Sequence, residues 1–247
     1  MPATMSGASR NSFVLGVDGC RGGWLAVELC VETGAAAARL YPKFQDIYDR
    51  QTGRWRAVAI DMPIGLCDIG RRTCDSQARK LLGAKRAASV FAPPRRPMLA
   101  FDDYAAANAW GKAQGAESGG GLSKQAWMIR PKIMEIDALA TPEDQQWLME
   151  AHPEVAFLRL NEGKPCAHSK RTTEGARERS LILRRGGIRT PRLAKQLPTA
   201  SGKTYGLDDL YDAAALALSA KERLFCNAIK LGDGARDARG LEMEIWG

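Results

Sequence analysis

The sequence predicts an α/β fold: a mixed sheet flanked by helices, with a mostly helical insertion after the fourth strand. Three observations predict it. Short β-rich apolar runs recur along the chain, and one of them, Ala57 to Asp61 (AVAID), is apolar at every position but its last. A strand that is apolar on both faces belongs inside a sheet covered by helices. Between these runs lie segments with helical periodicity, and the order in which the two kinds alternate is that of an α/β protein.

The elements follow in order. Phe13 to Asp18 (FVLGVD) is the first strand, and the glycines Gly19, Gly22 and Gly23 turn the chain into a second, Trp24 to Val31. A third strand, about Ala36 to Tyr41, follows Thr33-Gly34, and a helix is expected around Phe44 to Arg50. The fourth strand, Ala57 to Asp61, is stopped by Pro63 and Gly65. From Leu66 to Trp147 the pattern is mostly helical, best over Thr73 to Ala88, and is interrupted by Pro93-Pro94, Pro97 and the triple glycine Gly119-Gly120-Gly121. This stretch, residues 66–147, is expected to be an insertion that caps the sheet, since ligand-facing elaborations follow strand ends. Leu148 to His152 is a short strand, and Pro153 suits the first turn of a helix running through Phe157. A helix from Thr173 to Arg185 is expected to close on Gly186, and Leu207 to Phe225 forms a long last helix with an Ala-Leu face. Periodicity alone gives only α/β, but three strands, helix, strand, helices, strand, helices is the order of a ribonuclease H-like plan.

Composition bounds the function. The 247 residues, 45% hydrophobic and 26% charged, suffice for a full core, and with no linker in view the expectation is one domain over 1–247. No apolar run approaches the roughly 18 residues that cross a bilayer. Residues 1–12 are small and polar without an apolar signal region, so a frayed tail is expected there. The six cysteines are scattered, with no C-x-x-C pair and only two histidines to complete a zinc site. They read as reduced thiols of a cytoplasmic protein. Of the net charge of +8, the segment Lys164 to Lys203 carries eleven Lys or Arg against Glu174 and Glu178, and the rest of the chain is nearly neutral. Such a segment suits a polyanion, because Lys and Arg displace counterions from phosphates; the alternative is an ordinary solvated face.

The chemistry lies in the carboxylates. Asp18 closes the first strand and Asp61 the fourth, each interrupting apolar sequence. If those strands are neighbours, both acids stand at the switch point where open α/β sheets place ligands. Glu154 follows a third strand end. Each has a plainer reading: Asp18 starts a glycine turn, Asp61 caps before Pro63, and Glu154 favours a helix N-terminus. In DDLYDAAALALSA, Asp209 and Asp212 share a helix face, and alanines let that helix approach the sheet. Asp208 or Asp209 could serve only as a cap, a role that suits Asp208 better; Asp212 lies too far in. Converging carboxylates repel by about 4 kcal/mol per pair at about 4 Å and an effective dielectric near 20. A cation relieves this, and all-oxygen ligands favour Mg²⁺ or Mn²⁺.

Several motifs together resemble a known family: VLGVDGCRGGW (Val14 to Trp24), AIDMPIGL (Ala59 to Leu66), RRTCDSQARKLLG (Arg71 to Gly83), ASVFAPP (Ala88 to Pro94), EAHPEVAF (Glu150 to Phe157), SKRTTEG (Ser169 to Gly175) and DDLYDAAALAL (Asp208 to Leu218). The chain is similar, from about Phe13 to Lys221, to the domain of unknown function 429 family, whose members are described as expected ribonuclease H-like nucleases. The last motif also resembles the final active-site helix of Holliday-junction resolvases of this fold. That resemblance implies acidic site roles for Asp209 and Asp212, and matches Asp18 and Asp61 to the first-strand and fourth-strand acids. Glu154 is family-like without a counterpart in the wider fold.

The leading expectation is thus a metal-dependent nuclease. Asp18, Asp61 and Asp212 would hold Mg²⁺ or Mn²⁺, Asp209 would assist, and Glu154 would join the catalytic set. Substrate would meet Arg72 and Arg79 of the insertion, Gln125 beside the triple glycine, and Lys170 and Arg171 of the basic segment. Two other classes compete. Val17-Asp18-Gly19 with Gly22-Gly23 also resembles the phosphate hairpin of ATP-dependent phosphotransferases of the actin and sugar-kinase type, although no second such loop is present. A non-catalytic nucleic-acid-binding domain would use the basic segment alone.

Overall fold

The computed structural model describes residues 11–200 and 204–247; the tail expected over 1–12 lies almost wholly outside them, as does Lys203. Strands β1 (Phe13–Cys20), β2 (Gly23–Cys30) and β3 (Ala36–Tyr41) form an antiparallel meander. After the short helix α1 (Phe44–Tyr48), β4 (Trp55–Ile60) returns to pair parallel with β1, and β5 (Leu148–Glu150) adds parallel to β4. The sheet order β3-β2-β1-β4-β5, with helices on both faces, is an α/β, ribonuclease H-like arrangement. The β1–β2 turn needs glycine. Gly23 has φ +123°, and a Cβ there would lie 2.2 Å from the carbonyl oxygen of Tyr41.

Two apolar layers sandwich the sheet, as its doubly apolar strands require. On one side Val14, Ala57 and Met149 pack against α5 (Pro153–Leu160), α6 (Thr173–Arg185), α7 (Thr190–Ala194) and α8 (Leu207–Leu224). On the other, Leu15, Trp24 and Ile60 meet Phe44 and Ile47 of α1 and Ile133 and Ile136 of α4 (Lys124–Leu139). Glu135 of α4 accepts hydrogen bonds from Trp24 Nε1 (2.9 Å) and Phe44 N (2.8 Å), which fixes that helix on the sheet.

The insertion therefore does two jobs. Its later half is a sheet-covering layer. Its earlier half divides in two: α2 (Thr73–Arg86) packs Cys74, Ala78 and Leu82 against Val155 and Leu158 of α5, while α3 (Tyr104–Ala113) and the turns around it build a small separate core of Met98, Ala107 and Leu122 with Ala126 of α4. The expected unbroken helix to Ala88 is interrupted at Gly83, whose φ of +65° leaves the helical region. Likewise Gly186 caps α6 with φ −74°, and it is Gly187, at φ +92°, that takes the left-handed position expected of Gly186. The helix α7 and a two-stranded ribbon of β6 (Lys230–Leu231) and β7 (Ile245–Trp246) are too short to leave a periodic signal.

Helix α8 meets the sheet backbone to backbone at Gly16 of β1. A Cβ on Gly16 would lie 2.1 Å from both the carbonyl oxygen of Ala213 and the amide nitrogen of Ala217. Backbone cannot yield as a side-chain tip can, so the helix would have to lift from the sheet. Gly16→Val is expected to cost about 3 kcal/mol or more in urea unfolding, at or beyond the upper end of ordinary overpacking. A loss under about 1 kcal/mol would mean that α8 is held less firmly than this approach implies.

Candidate active site

The Gly16 approach matters because it sets where α8 delivers its acids. Asp18 lies in β1, two residues beyond Gly16. Asp61 directly follows β4, and its N–H donates to the carbonyl of Val17 (2.9 Å), which continues the parallel ladder by one step. The two aspartates thus leave the same end of neighbouring strands. Asp212, one residue before the Ala213 that touches Gly16, is brought down to them on α8 and is 1% exposed. A cavity of about 190 Å³ opens here, lined by Asp18, Asp61, Asp209, Lys170, Glu150 and His152 among others, and bordered by Phe91 and Gln125 from the insertion.

Burial governs the electrostatics. Asp18 is held well above the usual carboxylate range, first by desolvation and then by repulsion from Asp61 and Asp212. Asp61 is pushed up to about 7, again by burial and then by Asp212. Asp212 is also raised by burial, although Lys170 Nζ, 2.5 Å from its Oδ2, pulls the other way. Burial alone would favour a neutral Lys170, but Asp212, Asp18 and Asp61 together hold it firmly charged. Three carboxylates thus share one ammonium, and the set is short of positive charge. Lys132 stands at the edge, its Nζ donating to the Gly23 carbonyl (2.6 Å) over the Trp24 ring, and its charge reaches Asp18 and Asp209.

Of the other expected site residues, Asp209, Arg72 and Gln125 also line this cavity, whereas Glu154, Arg79 and Arg171 do not. Asp209 caps its helix: its Oδ2 accepts from Gly206 N (2.8 Å), the role the sequence suggested for Asp208, while it still lines the cavity. Glu154 is buried against the buried Arg179, with Arg86 at 3.9 Å, and does not line the cavity. Its charge reaches Asp212 through space. Arg72 lines the cavity but is fully engaged: it pairs with Glu150 (2.6 Å) and Asp75 (2.6 Å), and donates to the carbonyls of Ile64 and Gly65. Arg79 donates to the Val90 carbonyl and lines a different cavity, deeper in the insertion. Gln125 is exposed on the rim, and Arg171 is exposed outside the cavity.

Two further residues line the cavity: Glu150, which the sequence reading does not single out, and His152, which as a lone histidine at a strand end reads more readily as a hydrogen-bonded core residue than as a catalyst. Glu150 ends β5 within an apolar run, the same signal that marked Asp61, and its Oε2 also accepts from Ile64 N (2.7 Å). His152 caps α5 through Nδ1 and faces the Ser89 carbonyl through Nε2 (3.3 Å), with its pKa lowered by burial. It is a positioned core histidine on the cavity wall.

The oxygen-only donor set fits a hard divalent cation. Among the described residues, however, no group of three or more His, Cys, Asp or Glu is gathered closely enough to hold a metal ion, and Lys170 is seated on Asp212. None of the six cysteines is disulfide-bonded, and no helix among the described residues is long and apolar enough to cross a membrane.

The basic segment is not one patch. Lys170 and Arg179 are taken up by Asp212 and Glu154. Arg184, Arg189, Arg192 and Lys195 line a groove of about 490 Å³ where α6 meets α7, and the three arginines are exposed there. At a rise of about 1.5 Å per residue, Arg184 lies about 16 Å along α6 from its first residue, Thr173.

Compared with known proteins, the sequence matches the family described as Protein of unknown function (DUF429) over residues 16–227. No curated protein and no solved structure matches.

Proposed function

The chain belongs to the DUF429 family, and we propose that it is a metal-dependent nuclease that hydrolyses phosphodiester bonds in nucleic acid. One observation supports this reading: three carboxylates from three separate elements, the buried Asp18 and Asp212 and the half-buried Asp61, come to the same end of the parallel strands and repel one another through space, with Lys170 as the ammonium among them. Repulsion of this kind lowers stability, and strongly shifted ionisable groups cluster at functional sites. Asp18 and Asp61, joined by Asp212 once Lys170 moves off, would hold Mg²⁺ or Mn²⁺. Such an ion supplies positive charge that activates water and steadies the leaving oxygen of a phosphodiester.

The chain's own groups do the rest. Lys170, once freed from Asp212 by a bound ion, would offer its ammonium to a non-bridging phosphate oxygen. Asp61, pushed up to about 7 without a cation, would be held ionised once one is bound, so cation binding and loss of its proton are coupled. Asp209 is tied to Gly206 N and so holds the first turn of α8, and with it Asp212, in place. Phe91 and His152 form part of the cavity wall.

The test is cleavage of single-stranded, duplex, hybrid and branched substrates with Mn²⁺, with Asp18→Asn as the control for contaminating nuclease. Cleavage by the wild type alone supports the reading. Equal cleavage by both, or none on any substrate, overturns it in favour of a non-catalytic nucleic-acid-binding domain. Backbone binding is expected at the α6–α7 groove. Replacing Arg184, Arg189 and Arg192 together by Gln should weaken nucleic-acid binding and lower its log–log salt slope by about 2, since each phosphate no longer neutralised removes about 0.7–0.9. An unchanged slope would place the binding surface elsewhere.

A further inference from the structure

We propose that the insertion carries a second ligand site, separate from the acidic cavity, that binds a phosphoryl group. A cavity of about 260 Å³ lies between the start of α2, the Phe91–Arg95 stretch and the glycine loop Gly119–Gly121. Four arginines line it, Arg71, Arg72, Arg79 and Arg95, against one carboxylate, Asp75, which is already bound to Arg72.

Arg95 is the telling residue. It is 4% exposed, yet it has no carboxylate partner among the described residues. Its Nη2 donates to the carbonyls of Gly111 (3.0 Å) and Gly120 (2.9 Å), and its guanidinium stacks over Trp110 at 4.8 Å. Its Nη1 is buried with no hydrogen-bond partner among the described residues. A buried guanidinium normally has an anion beside it, because desolvating an uncompensated charge is costly. The other buried arginines among the described residues obey this: Arg72 has Glu150 and Asp75, and Arg179 has Glu154. Arg95 departs from the pattern inside a cavity whose other arginines are also positive.

The glycines fit the same purpose. A Cβ on Gly119, which has φ +104°, would lie 2.6 Å from the Gly70 carbonyl and 3.3 Å from Arg95 Cδ, and one on Gly111 would lie 2.6 Å from the Gly120 carbonyl. Only glycine lets the loop close over the guanidinium. Arg71 and Arg79 line the cavity with donors to spare, Arg71 bonding the Gly119 carbonyl through Nη2 and Arg79 the Val90 carbonyl through Nε. A planar fork of donors suits a tetrahedral oxyanion better than a point charge does.

Arg72, Asp75 and Phe91 line both cavities, so a phosphoryl group bound here lies next to the acidic site. Its source is either the terminal phosphate of a nucleic acid or a free phosphomonoester, and the chemistry of recognition is the same for both.

The experiment uses the full chain carrying Asp18→Asn, so that cleavage plays no part. Inorganic phosphate is titrated at constant ionic strength, with chloride as the control, and followed by calorimetry and thermal unfolding. Phosphate-specific binding is expected, weakened about tenfold or more by Arg95→Gln and to a similar degree by Arg71→Gln with Arg79→Gln. The second pair is half-buried or exposed, so its unliganded melting temperature should match the parent's, which separates lost binding from lost folding. No phosphate-specific binding by the parent, or binding that survives both variants, overturns the site. Oligonucleotides with a 5′-phosphate, a 3′-phosphate or neither then identify the source. Preference for one phosphorylated end assigns a nucleic-acid terminus, and equal binding of all three beside tight inorganic phosphate assigns a free phosphomonoester. None of these outcomes depends on nuclease activity, so the site and the nuclease reading can fail separately.

Discussion

Asp18→Asn is expected to abolish Mn²⁺-dependent cleavage and, at the same time, to make the metal-free protein more stable. Loss of a direct ligand should exceed the roughly 10–100-fold that loss of an outer-shell partner costs. The stability gain follows from the carboxylates' raised pKa values. Asp61 titrates at about 7 in the folded chain against 3.8 without burial or neighbours, and Asp18 is raised in the same direction. Between about pH 4 and 7 the folded state therefore binds more protons than the unfolded one. Stability must fall as pH rises through that window, by linkage, and the deficit is fully present above it. At 1.36 kcal/mol per unit, the Asp61 shift alone sets a ceiling of about 4 kcal/mol, and relaxation of the site reduces what is measured. Asp18→Asn also relieves the repulsion on Asp61, so at about pH 8 the variant should exceed the wild type by about 1–3 kcal/mol, with the gap closing toward about pH 4. Mn²⁺ should stabilise the wild type above neutral pH and leave the variant nearly unaffected. Urea unfolding at about pH 5 and about pH 8, with and without Mn²⁺, checks all three. A variant less stable than the wild type at the higher pH would mean that Asp18 is a structural hydrogen-bonding group and not a charge held at cost.

Arg72→Ala should unfold the protein before it reveals anything about substrate. The sequence offered Arg72 as a phosphate ligand, but both ends of its guanidinium are engaged, to Glu150 and to Asp75, and the side chain is 2% exposed. Removing it strands two buried carboxylates, and breaking a buried pair from one side costs about 3–5 kcal/mol. Glu150 has β5 and the Ile64 amide depending on it, so the loss should spread to the loop after β4 that carries Asp61. Combining Arg72→Met with Glu150→Gln and Asp75→Asn removes the stranded charges and should recover at least half of the loss. Chemical denaturation of the single and triple variants is the measurement. A single variant as stable as the wild type, with only its substrate binding weakened, would return Arg72 to the role the sequence gave it.

The two arginine-bearing segments show where local reading stops. Arg72 and Arg95 look alike in sequence, each beside another arginine and within the same insertion. One has two acids waiting for it, from α2 and β5, and the other has none among the described residues. The same holds for the basic stretch after Lys164, where Arg179 and Lys170 are spent on buried acids while Arg184, Arg189 and Arg192 stay exposed. Whether a charged side chain meets solvent, a ligand or an opposite charge depends on which distant residue lies across from it, and no local pattern encodes that.

The α/β class, the succession of the five sheet strands along the chain and the placing of Asp61 just past the end of its strand are legible in the sequence, and Asp18 is misplaced only slightly, since β1 runs two residues beyond it to Cys20. They follow from alternation, apolar runs and glycine or proline stops, which act within a few residues. The depth of Asp212 in its helix, too great for a cap, was equally plain. Folding in three dimensions settled the rest: that β1 and β4 are neighbours, that Gly16 brings α8 down until Asp212 reaches them, and that Lys170 takes the centre of the site. It likewise settled that Glu154 pairs with Arg179, that Asp209 rather than Asp208 closes the N-terminus of α8, and that Arg95 is buried without an acid. Secondary structure is written in short-range periodicity, whereas the energy of a buried charge is set by its surroundings. Here those surroundings are assembled from distant segments, 42 residues apart for Lys170 and Asp212 and 78 for Arg72 and Glu150.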